Sequence, residues 1–364
     1  MKLKRIVLKG FKSIRELDLE LRSLNVLIGA NGAGKSNFIA LFHLLNQMVM
    51  GNFQNAVAKA GGAGTFLYFG EKTTKQIDVD LYFGQNGYSC SWAATADGSL
   101  FFAKELCRFW GDHTTAPSGH REPLGSGHRE SKLSEAERPP GSPVQGYVSD
   151  ALRSWKVYHF HDTSETAPVK KSGEINDNLF LRPDAGNLAA FLFRLRESRQ
   201  RDHYEAIRDT VRQVTPFFDD FVLRPDPLNE NMIRLEWRER GSDYPFMAYH
   251  LSDGTLRFMC LVTLLMQPTP PSTVLIDEPE LGLHPYAIVV LASLLKSASR
   301  RTQVVVSTQS VPLVNQLDLE DIVVVERVER QSAFRRLDVE EIKGWLEDYR
   351  IGDLWEKNLL GGRP

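Results

Sequence analysis

A glycine-rich loop between an apolar run and an amphipathic segment constrains the fold of this chain more than any other feature. The apolar run, Leu24 to Ile28, is typical of a buried strand, and the loop that follows it, Gly29 to Ser36 (GANGAGKS), matches GxxxxGK[ST]. Apolar residues then recur at helical spacing from about Lys35 to Met48. Strand, loop and helix in this order predict an α/β fold whose loop amides and helix N-terminus surround phosphate groups.

The loop residues are therefore candidates for binding ATP. Glycines let the backbone N–H groups wrap closely around phosphates, Lys35 would reach the β- and γ-phosphates, and Ser36 would ligate Mg²⁺. The predicted nucleotide-binding residues of this segment are Gly29, Asn31, Gly32, Gly34, Lys35, Ser36 and Asn37.

A second apolar run ends in two carboxylates. Thr273 to Glu278 reads TVLIDE, and a buried strand places its last residues at the carboxyl edge of a sheet, where nucleotides bind in open α/β folds. We expect Asp277 to hold Mg²⁺ directly or through water. Glu278 is positioned to polarise the attacking water as a general base.

Three further motifs separate protein families. Leu251 to Thr255 (LSDGT) precedes an apolar helix, Glu278 to Pro285 reads EPELGLHP, and Thr308 to Ser310 (TQS) closes the next buried strand. Together with the glycine-rich loop, these motifs resemble the RecF/SMC-like branch of ABC-type ATPases, which includes the ATPase parts of OLD-type nucleases. The specific resemblance covers residues 1 to about 60 and 245 to 330.

The resemblance implies a fold and a mechanism. The fold is an α/β P-loop NTPase of the ABC type: an ATPase head with an antiparallel β subdomain, a parallel-sheet core and a helical signature subdomain, formed as one domain over 1–364. In the family, two subunits sandwich each ATP. By that analogy Ser252 and Gly254 would contact the γ-phosphate in the partner's site, and the chain would form a homodimer with composite ATP sites. Gln309 would join Lys35 and Glu278 in the catalytic set as the switch residue.

The chain departs from the family pattern at three places. The switch position usually holds histidine, whereas the amide of Gln309 can hydrogen-bond but cannot carry a proton, so turnover would be slow or partner-stimulated. His284 stands where many ABC proteins have aspartate. The Q-loop residue stays open among Gln76, Gln85 and the segment His159 to Asp162.

Other regions carry less specific signals. Residues 111–146 are rich in Gly, Ser, Pro, His and Arg, and they predict a disordered insertion; a metal loop using its histidines has no compact ligand spacing. Residues 187–250 read as a helical and connecting region that leads to the signature. Its first helix, Asn187 to Val214, contains six arginines, which favour either a solvated ion-paired face or a DNA-facing patch. Residues 339–364 predict a C-terminal helix and tail.

Composition excludes several classes of protein. Lys and Arg total 44 against 46 Asp and Glu, so any DNA contact must come from a local patch. No apolar stretch approaches the roughly 20 residues that cross a bilayer, and the first residues lack a signal-peptide core. Three widely spaced cysteines indicate reduced thiols and a cytoplasmic location. Sustained heptads and the acidic cluster of a TOPRIM nuclease domain are both missing, so long SMC arms and DNA cutting by this chain are not expected.

The leading hypothesis is an ATP-hydrolysing molecular switch that dimerises on ATP and acts on DNA, or on a DNA-acting partner, in repair, recombination or phage defence. The alternative is an ATP-bound, weakly hydrolysing scaffold for a separately encoded effector such as a nuclease. A small-molecule phosphotransferase is disfavoured, because such an enzyme has no use for LSDGT and EPELGLHP.

Overall fold

The computed structural model describes residues 2–111, 120–134 and 143–362. The strands in these residues are β1 (Arg5–Phe11), β2 (Ile14–Glu20), β3 (Leu24–Ile28), β4 (Gln76–Phe83), β5 (Asn86–Ala94), β6 (Leu100–Phe109), β7 (His120–Gly125), β8 (Trp155–Tyr158), β9 (Gly173–Glu174), β10 (Phe218–Val222), β11 (Pro225–Asp226), β12 (Asn229–Ile233), β13 (Glu236–Glu239), β14 (Pro245–Met247), β15 (Thr273–Asp277), β16 (Gln303–Thr308), β17 (Ile322–Val328) and β18 (Gln331–Arg336). The helices are α1 (Lys35–Val49), α2 (Phe53–Lys59), α3 (Pro143–Arg153), α4 (Leu188–Glu197), α5 (Arg201–Val214), α6 (Asp253–Met266), α7 (Pro285–Ser299), α8 (Val311–Val314), α9 (Val339–Ile342) and α10 (Ile351–Glu356).

A six-stranded sheet forms the centre of the fold. Its order is β18-β17-β3-β16-β15-β8, and all neighbours are parallel except β17 and β18. The strands are apolar on both faces because both are covered: Val26 and Ile28 lie in one hydrophobic core, and Leu27 lies in the other. The predicted parallel-sheet core is therefore confirmed.

An antiparallel sheet of order β2-β1-β4-β5-β6-β7 covers one face of the central sheet, with α1 packed between the two. Strand β4 alternates buried and more exposed positions, as a sheet with one covered face requires. On α1, the ring of the fully buried Phe42 lies 4.8 Å from that of Trp155 on β8. Helix α1 thus joins the antiparallel part to the core.

Helices α4, α5, α6 and α7 cover the other face of the central sheet. Helix α6 is apolar nearly all round and correspondingly buried, with ten of its 14 residues inaccessible. Helix α7 is the crossover between the parallel strands β15 and β16. No helix of the described residues combines the length and apolar character that crossing a membrane requires.

Two predicted helices differ from the structure. The helix expected from Asn187 to Val214 is broken into α4 and α5, because Ser198 takes an extended backbone conformation. The helix expected in the tail, within residues 339–364, is divided into α9, a single 3₁₀ turn at Trp345–Glu347, and α10.

The arginines of α4 and α5 mostly pair with nearby carboxylates, as an ion-paired face would. Four of the six arginines form such pairs: Arg196 with Glu197, Arg201 with Glu205, Arg208 with Asp209 and Asp220, and Arg212 with Asp209 and Asp219.

The stretch 111–146 differs from the predicted disordered insertion over residues 120–134. Strand β7 extends the antiparallel sheet by pairing with β6, and the ring of His128 stacks on Phe102 at 4.8 Å. Residues 112–119 and 135–142, which include His113, lie outside the described residues. Composition alone predicts disorder here. In the structure, residues 120–134 form hydrogen bonds and apolar contacts with residues of β5 and β6, which composition does not reveal.

One buried carboxylate holds this segment in place. Glu105 on β6 is 1% exposed, and its two oxygens accept hydrogen bonds from Tyr88 Oη (2.7 Å), Ser131 Oγ (2.5 Å) and the Lys132 amide (3.0 Å). His128 Nε2 lies 2.8 Å from the same carboxylate. Such a network is stabilising only when complete, because each buried polar group left without a partner costs free energy.

We expect Glu105→Ala to release residues 126–134, because it removes all of these acceptors at once. The free energy of unfolding should fall by about 3 kcal/mol in urea titrations. Trypsin should then cut after Arg129 in the native state much faster than in the wild type. The exposed Glu71→Ala serves as the control and should leave both measurements unchanged. Equal cleavage rates in the two variants would contradict the anchoring role of Glu105.

Candidate functional site

The carboxyl ends of three neighbouring parallel strands meet at one edge of the central sheet. Ile28, the last residue of β3, pairs with Thr308 on β16, and Asp277, the last residue of β15, pairs with Ser307. The register brings the glycine-rich loop, the acidic pair and the TQS segment together. A cavity of about 140 Å³ lies between them, lined by Asn31, Gly32, Gly34, Lys35, Ser36, Asn37, Glu278 and Gln309.

The glycines of the loop permit close backbone packing. Gly29 has a φ of +156°, and a Cβ at this position would lie 2.0 Å from the Val325 carbonyl oxygen of β17. A Cβ at Gly34 would collide with Ser332 Oγ of β18. Gly32, by contrast, has open space where its side chain would be, on the side that faces the cavity.

Lys35 is the first residue of α1 and is only 5% exposed. Its Nζ donates to the carbonyl oxygens of Gly29 (2.5 Å) and Ala30 (3.1 Å), so the ammonium group is held inside the loop. Burial lowers its pKa, although the carboxylates of Glu278, Asp277 and Glu280 act in the opposite direction. A buried cation beside amides at the start of a 15-residue helix makes this loop suited to phosphate groups.

The donor set fits Mg²⁺ as well as phosphate. Ser36 Oγ lies 3.3 Å from Asp277 Oδ2, and the other Asp277 oxygen accepts a hydrogen bond from Ser307 Oγ. Hydroxyl and carboxylate oxygens are the hard ligands that Mg²⁺ prefers. Among the described residues there is no cluster of three His, Cys, Asp or Glu side chains that could hold a metal. A magnesium ion here would therefore take its other ligands from nucleotide phosphates and water.

Glu278 is held in an unusual conformation directly after β15. Its φ is +44°, a left-handed value that is rare outside glycine, and its amide donates to the Ser307 carbonyl at 2.9 Å. Gln309 Nε2 donates a hydrogen bond to Glu278 Oε1. The structure thus places the predicted general base and the predicted switch residue in direct contact.

Glu280 contacts the backbone next to this pair. One of its carboxylate oxygens accepts from Thr308 Oγ1 (2.5 Å) and from the Gln309 amide (3.3 Å). The other oxygen is buried without a partner among the described residues. Burial raises the pKa of this carboxyl.

Of the three open Q-loop candidates, only the segment after β8 lies at this edge. Gln76 begins β4 and Gln85 follows it, both in the antiparallel sheet. His159 follows β8, the parallel neighbour of β15. Burial lowers its pKa, whereas the charge of nearby Asp277 raises it.

The signature residues do not line this cavity. Ser252 caps α6, accepting a hydrogen bond from the Thr255 amide at 3.2 Å. Gly254 lies in the first turn of α6, where a Cβ would come within 2.2 Å of the Gly282 carbonyl oxygen. His284 caps α7 through its Nδ1, which accepts from the Tyr286 amide at 3.3 Å. Ser252 is exposed and so is accessible to another molecule.

Sequence reasoning assigned no role to Ser307 or Glu280. Ser307 reaches Asp277 only because β15 and β16 pair in a specific register, which no local pattern indicates. Glu280 does belong to the EPELGLHP string, and that string was the available signal for it.

Two family profiles of ATPase domains match the sequence of this chain. The profile of the AAA ATPase domain family matches residues 1–205. A second AAA domain profile, whose description names an AbiEii toxin and a type IV TA system, matches residues 135–315. An OLD nuclease from Thermus scotoductus is 23% identical in an alignment 311 residues long, which covers 78% of this chain. The chain spans only 54% of that relative's length.

Solved structures show the same fold at low identity. An SMC head bound to the C-terminal winged-helix domain of ScpA is 14% identical, with a TM-score of 0.58, 94% of this chain and 100% of that chain covered. An SMC head with an extended coiled coil, bound to the C-terminal domain of ScpA from Pyrococcus furiosus, is 15% identical, with a TM-score of 0.56 and 95% and 98% covered.

Two glycine substitutions in the loop should differ sharply. Gly29→Ala forces a methyl group against the Val325 carbonyl oxygen, and neither backbone can move aside easily. We therefore expect the free energy of unfolding to fall by about 2 kcal/mol or more and ATP binding to be lost. Gly32→Ala meets open space and should cost about 1 kcal/mol, for its positive φ alone. Urea unfolding and binding of a fluorescent ATP analogue measure both effects. Equal stability of the two variants would show that the loop does not need this close packing.

Proposed function

The chain belongs to the AAA ATPase domain family and is an ATPase of the SMC-, RecF- and OLD-like ABC type; from this premise we propose that it is an ATP-driven molecular switch. ATP would bring two copies together, the dimer would act on DNA or on a partner that acts on DNA, and hydrolysis would reset it.

The observation that carries this proposal is an incomplete site. Lys35, Ser36 and Glu278 surround one cavity, whereas the exposed Ser252 at the start of α6 lies outside it. An exposed helix N-terminus suits a phosphate group of another molecule. A second copy that supplies Ser252 and Gly254 across the nucleotide would complete both sites at once.

Each residue of the cavity then has a role within its own subunit. Lys35 would move from the carbonyls of Gly29 and Ala30 to the β- and γ-phosphates, and the loop amides would bind the same phosphates. Ser36 and Asp277 would hold Mg²⁺, which neutralises charge on the phosphates. Glu278 would accept a proton from the attacking water, positioned by the amide of Gln309.

The DNA part of the proposal is supported by similarity to an OLD nuclease, of which this chain spans about half. The ATPase would then work with a separately encoded nuclease or other effector, in DNA repair, recombination or phage defence. The match to a family described by a toxin of a type IV TA system also favours a defence role.

Gln309 favours a second candidate function. Because its amide occupies a Glu278 oxygen and cannot carry a proton, the chain could hold ATP and hydrolyse it only weakly. In that case the ATP-bound dimer would be a scaffold for an effector, and turnover would depend on the partner.

Mixing two inactive variants tests the composite site. Lys35→Ala removes the phosphate lysine and Ser252→Arg blocks the signature, so each should lose at least about 100-fold in kcat, since each contact acts on the transferred phosphate. A heterodimer still has one intact site, built from Lys35 of one chain and Ser252 of the other. Steady-state phosphate release should therefore recover on mixing, to about a quarter of the wild-type rate.

Light scattering on Glu278→Gln, with and without Mg-ATP, provides the control for assembly. A monomer that becomes a dimer only with ATP supports the switch. A mass that does not respond to ATP, with no recovery on mixing, would contradict the composite site and favour the scaffold.

Binding to DNA should depend on salt. We expect Glu278→Gln with Mg-ATP to bind a labelled duplex less tightly as salt increases, because phosphate contacts release bound counterions. If two or more phosphates are contacted, the Kd should rise about tenfold or more between roughly 50 and roughly 200 mM salt. Fluorescence anisotropy measures this, and the same titration without Mg-ATP is the control. Binding insensitive to salt would exclude the phosphate-contact model.

A further inference from the structure

A groove between α1 and α2 lies apart from the nucleotide site. Its volume is about 510 Å³, and none of the described residues that line it also lines the cavity beside Lys35. Ala40 and Leu44 line the groove from α1, and Ala56 and Ala60 line it from α2 and the residue that follows α2. The small alanine side chains leave the space between the helices open. A volume of this size is typical of sites that bind small organic molecules.

The groove combines apolar surface with free polar groups. Leu44 and Phe66 both line it, and they are only 2% and 5% exposed in the chain. His43, Gln47 and Asn55 line the same groove, and their side chains form no hydrogen bond with another residue in the described part of the chain. An apolar lining with a few polar groups that can orient a ligand is the usual composition of a small-molecule site.

The formal charge of the groove is entirely positive. Lys12 and Lys59 line it, whereas no Asp or Glu occurs among its described lining residues. Within the described ranges of the chain, neither lysine forms an ion pair or donates a side-chain hydrogen bond. Lys12 is partly buried, and burial lowers the pKa of its ammonium group. An anionic ligand would offset the cost of desolvating this cation.

The backbone holds Lys12 in place at a conformational cost. Lys12 and Ser13 form the two-residue turn between β1 and β2, where Phe11 pairs with Ile14. The φ of Lys12 is +49°, a left-handed value that Asn, Asp and Gly adopt more readily than lysine. Its amide donates to the Phe66 carbonyl at 2.7 Å, and its Nζ lies 5.4 Å from the centroid of the Phe66 ring. The turn therefore fixes a cation against the aromatic surface of the groove.

We propose that the groove between α1 and α2 binds a small organic anion, in which a carboxylate, sulfonate or phosphate group is joined to an apolar or aromatic body. The anionic group would pair with Lys12 and Lys59, and the body would pack on Leu44 and Phe66. Because the groove and the nucleotide cavity share no described lining residue, this ligand would bind in addition to ATP. The inference does not depend on the proposed dimer, since every residue it uses belongs to one chain.

Anilinonaphthalene sulfonate is the probe, because it is an aromatic anion whose fluorescence increases in apolar surroundings. Titrated against the full chain, it should show one saturable site whose Kd is the same, within about twofold, with and without saturating Mg-ATP. Lys12→Gln and Lys59→Gln should each raise this Kd about fivefold or more, because each removes a charged partner of the sulfonate. Lys171→Gln, at an exposed lysine outside the groove, is the matched control and should leave the Kd unchanged.

Two further measurements separate the site from unspecific apolar binding. The uncharged analogue phenylnaphthylamine should bind the wild type and both lysine variants equally, since it has no sulfonate to pair with a cation. Ala56→Trp fills the groove and should abolish binding of both probes, whereas Ala58→Trp, at an exposed position of the same helix, should retain it. Urea unfolding shows which variants are folded, and Ala60→Trp replaces Ala56→Trp if the latter is not.

Several results would overturn the proposal. They are the absence of a saturable site in the wild type, competitive displacement of the probe by Mg-ATP, and a wild-type Kd in both Lys12→Gln and Lys59→Gln. Binding retained by the folded variant whose groove is filled would also overturn it.

Discussion

The parallel register of β3, β16 and β15 is the constraint on which the rest of the structure depends. It brings the ends of three strands, far apart in sequence, to one edge, where the glycine-rich loop, Asp277 and Gln309 lie side by side. The apolar residues that fix this register are buried on both faces, by α1 and the antiparallel sheet on one side and by helices α4–α7 on the other. Slipping one strand by a residue would turn each of its side chains to the opposite face.

Charged groups are buried around this edge and satisfied mainly by backbone. Lys35 is held by two carbonyls of its own loop, and Arg257 by three carbonyls from two loops. Glu280 accepts from Thr308 and from a backbone amide. Such groups gain little net stability from burial, because desolvation opposes their hydrogen bonds. They do fix where loops lie relative to one another.

The proposed function has one physical basis. In the proposed dimer, one chain would surround the phosphates from the side of the sheet and present Ser252 elsewhere, so binding energy from a second copy would become available only with nucleotide between them. Since the first turn of α6 packs through Gly254 against Gly282 in the loop after Glu278, association and hydrolysis would depend on each other. Under the same proposal, the contact of Gln309 with Glu278 would set how readily Glu278 takes up a proton.

Local chemistry decided much of this from sequence alone. Glycine spacing, an apolar strand ending in Asp277 and Glu278, and an N-cap serine before an apolar helix together predicted the ATPase family and the parallel core. Sequence did not separate the helix pair at Ser198, place residues 120–134 on the sheet, or choose among the Q-loop candidates. The last two depended on partners distant in the chain: the carboxylate of Glu105 for residues 120–134, and the position of β8 beside β15 for the Q-loop candidates. Only the tertiary structure assigns such partners, because hydrogen bonds between loops leave no periodic pattern in the sequence.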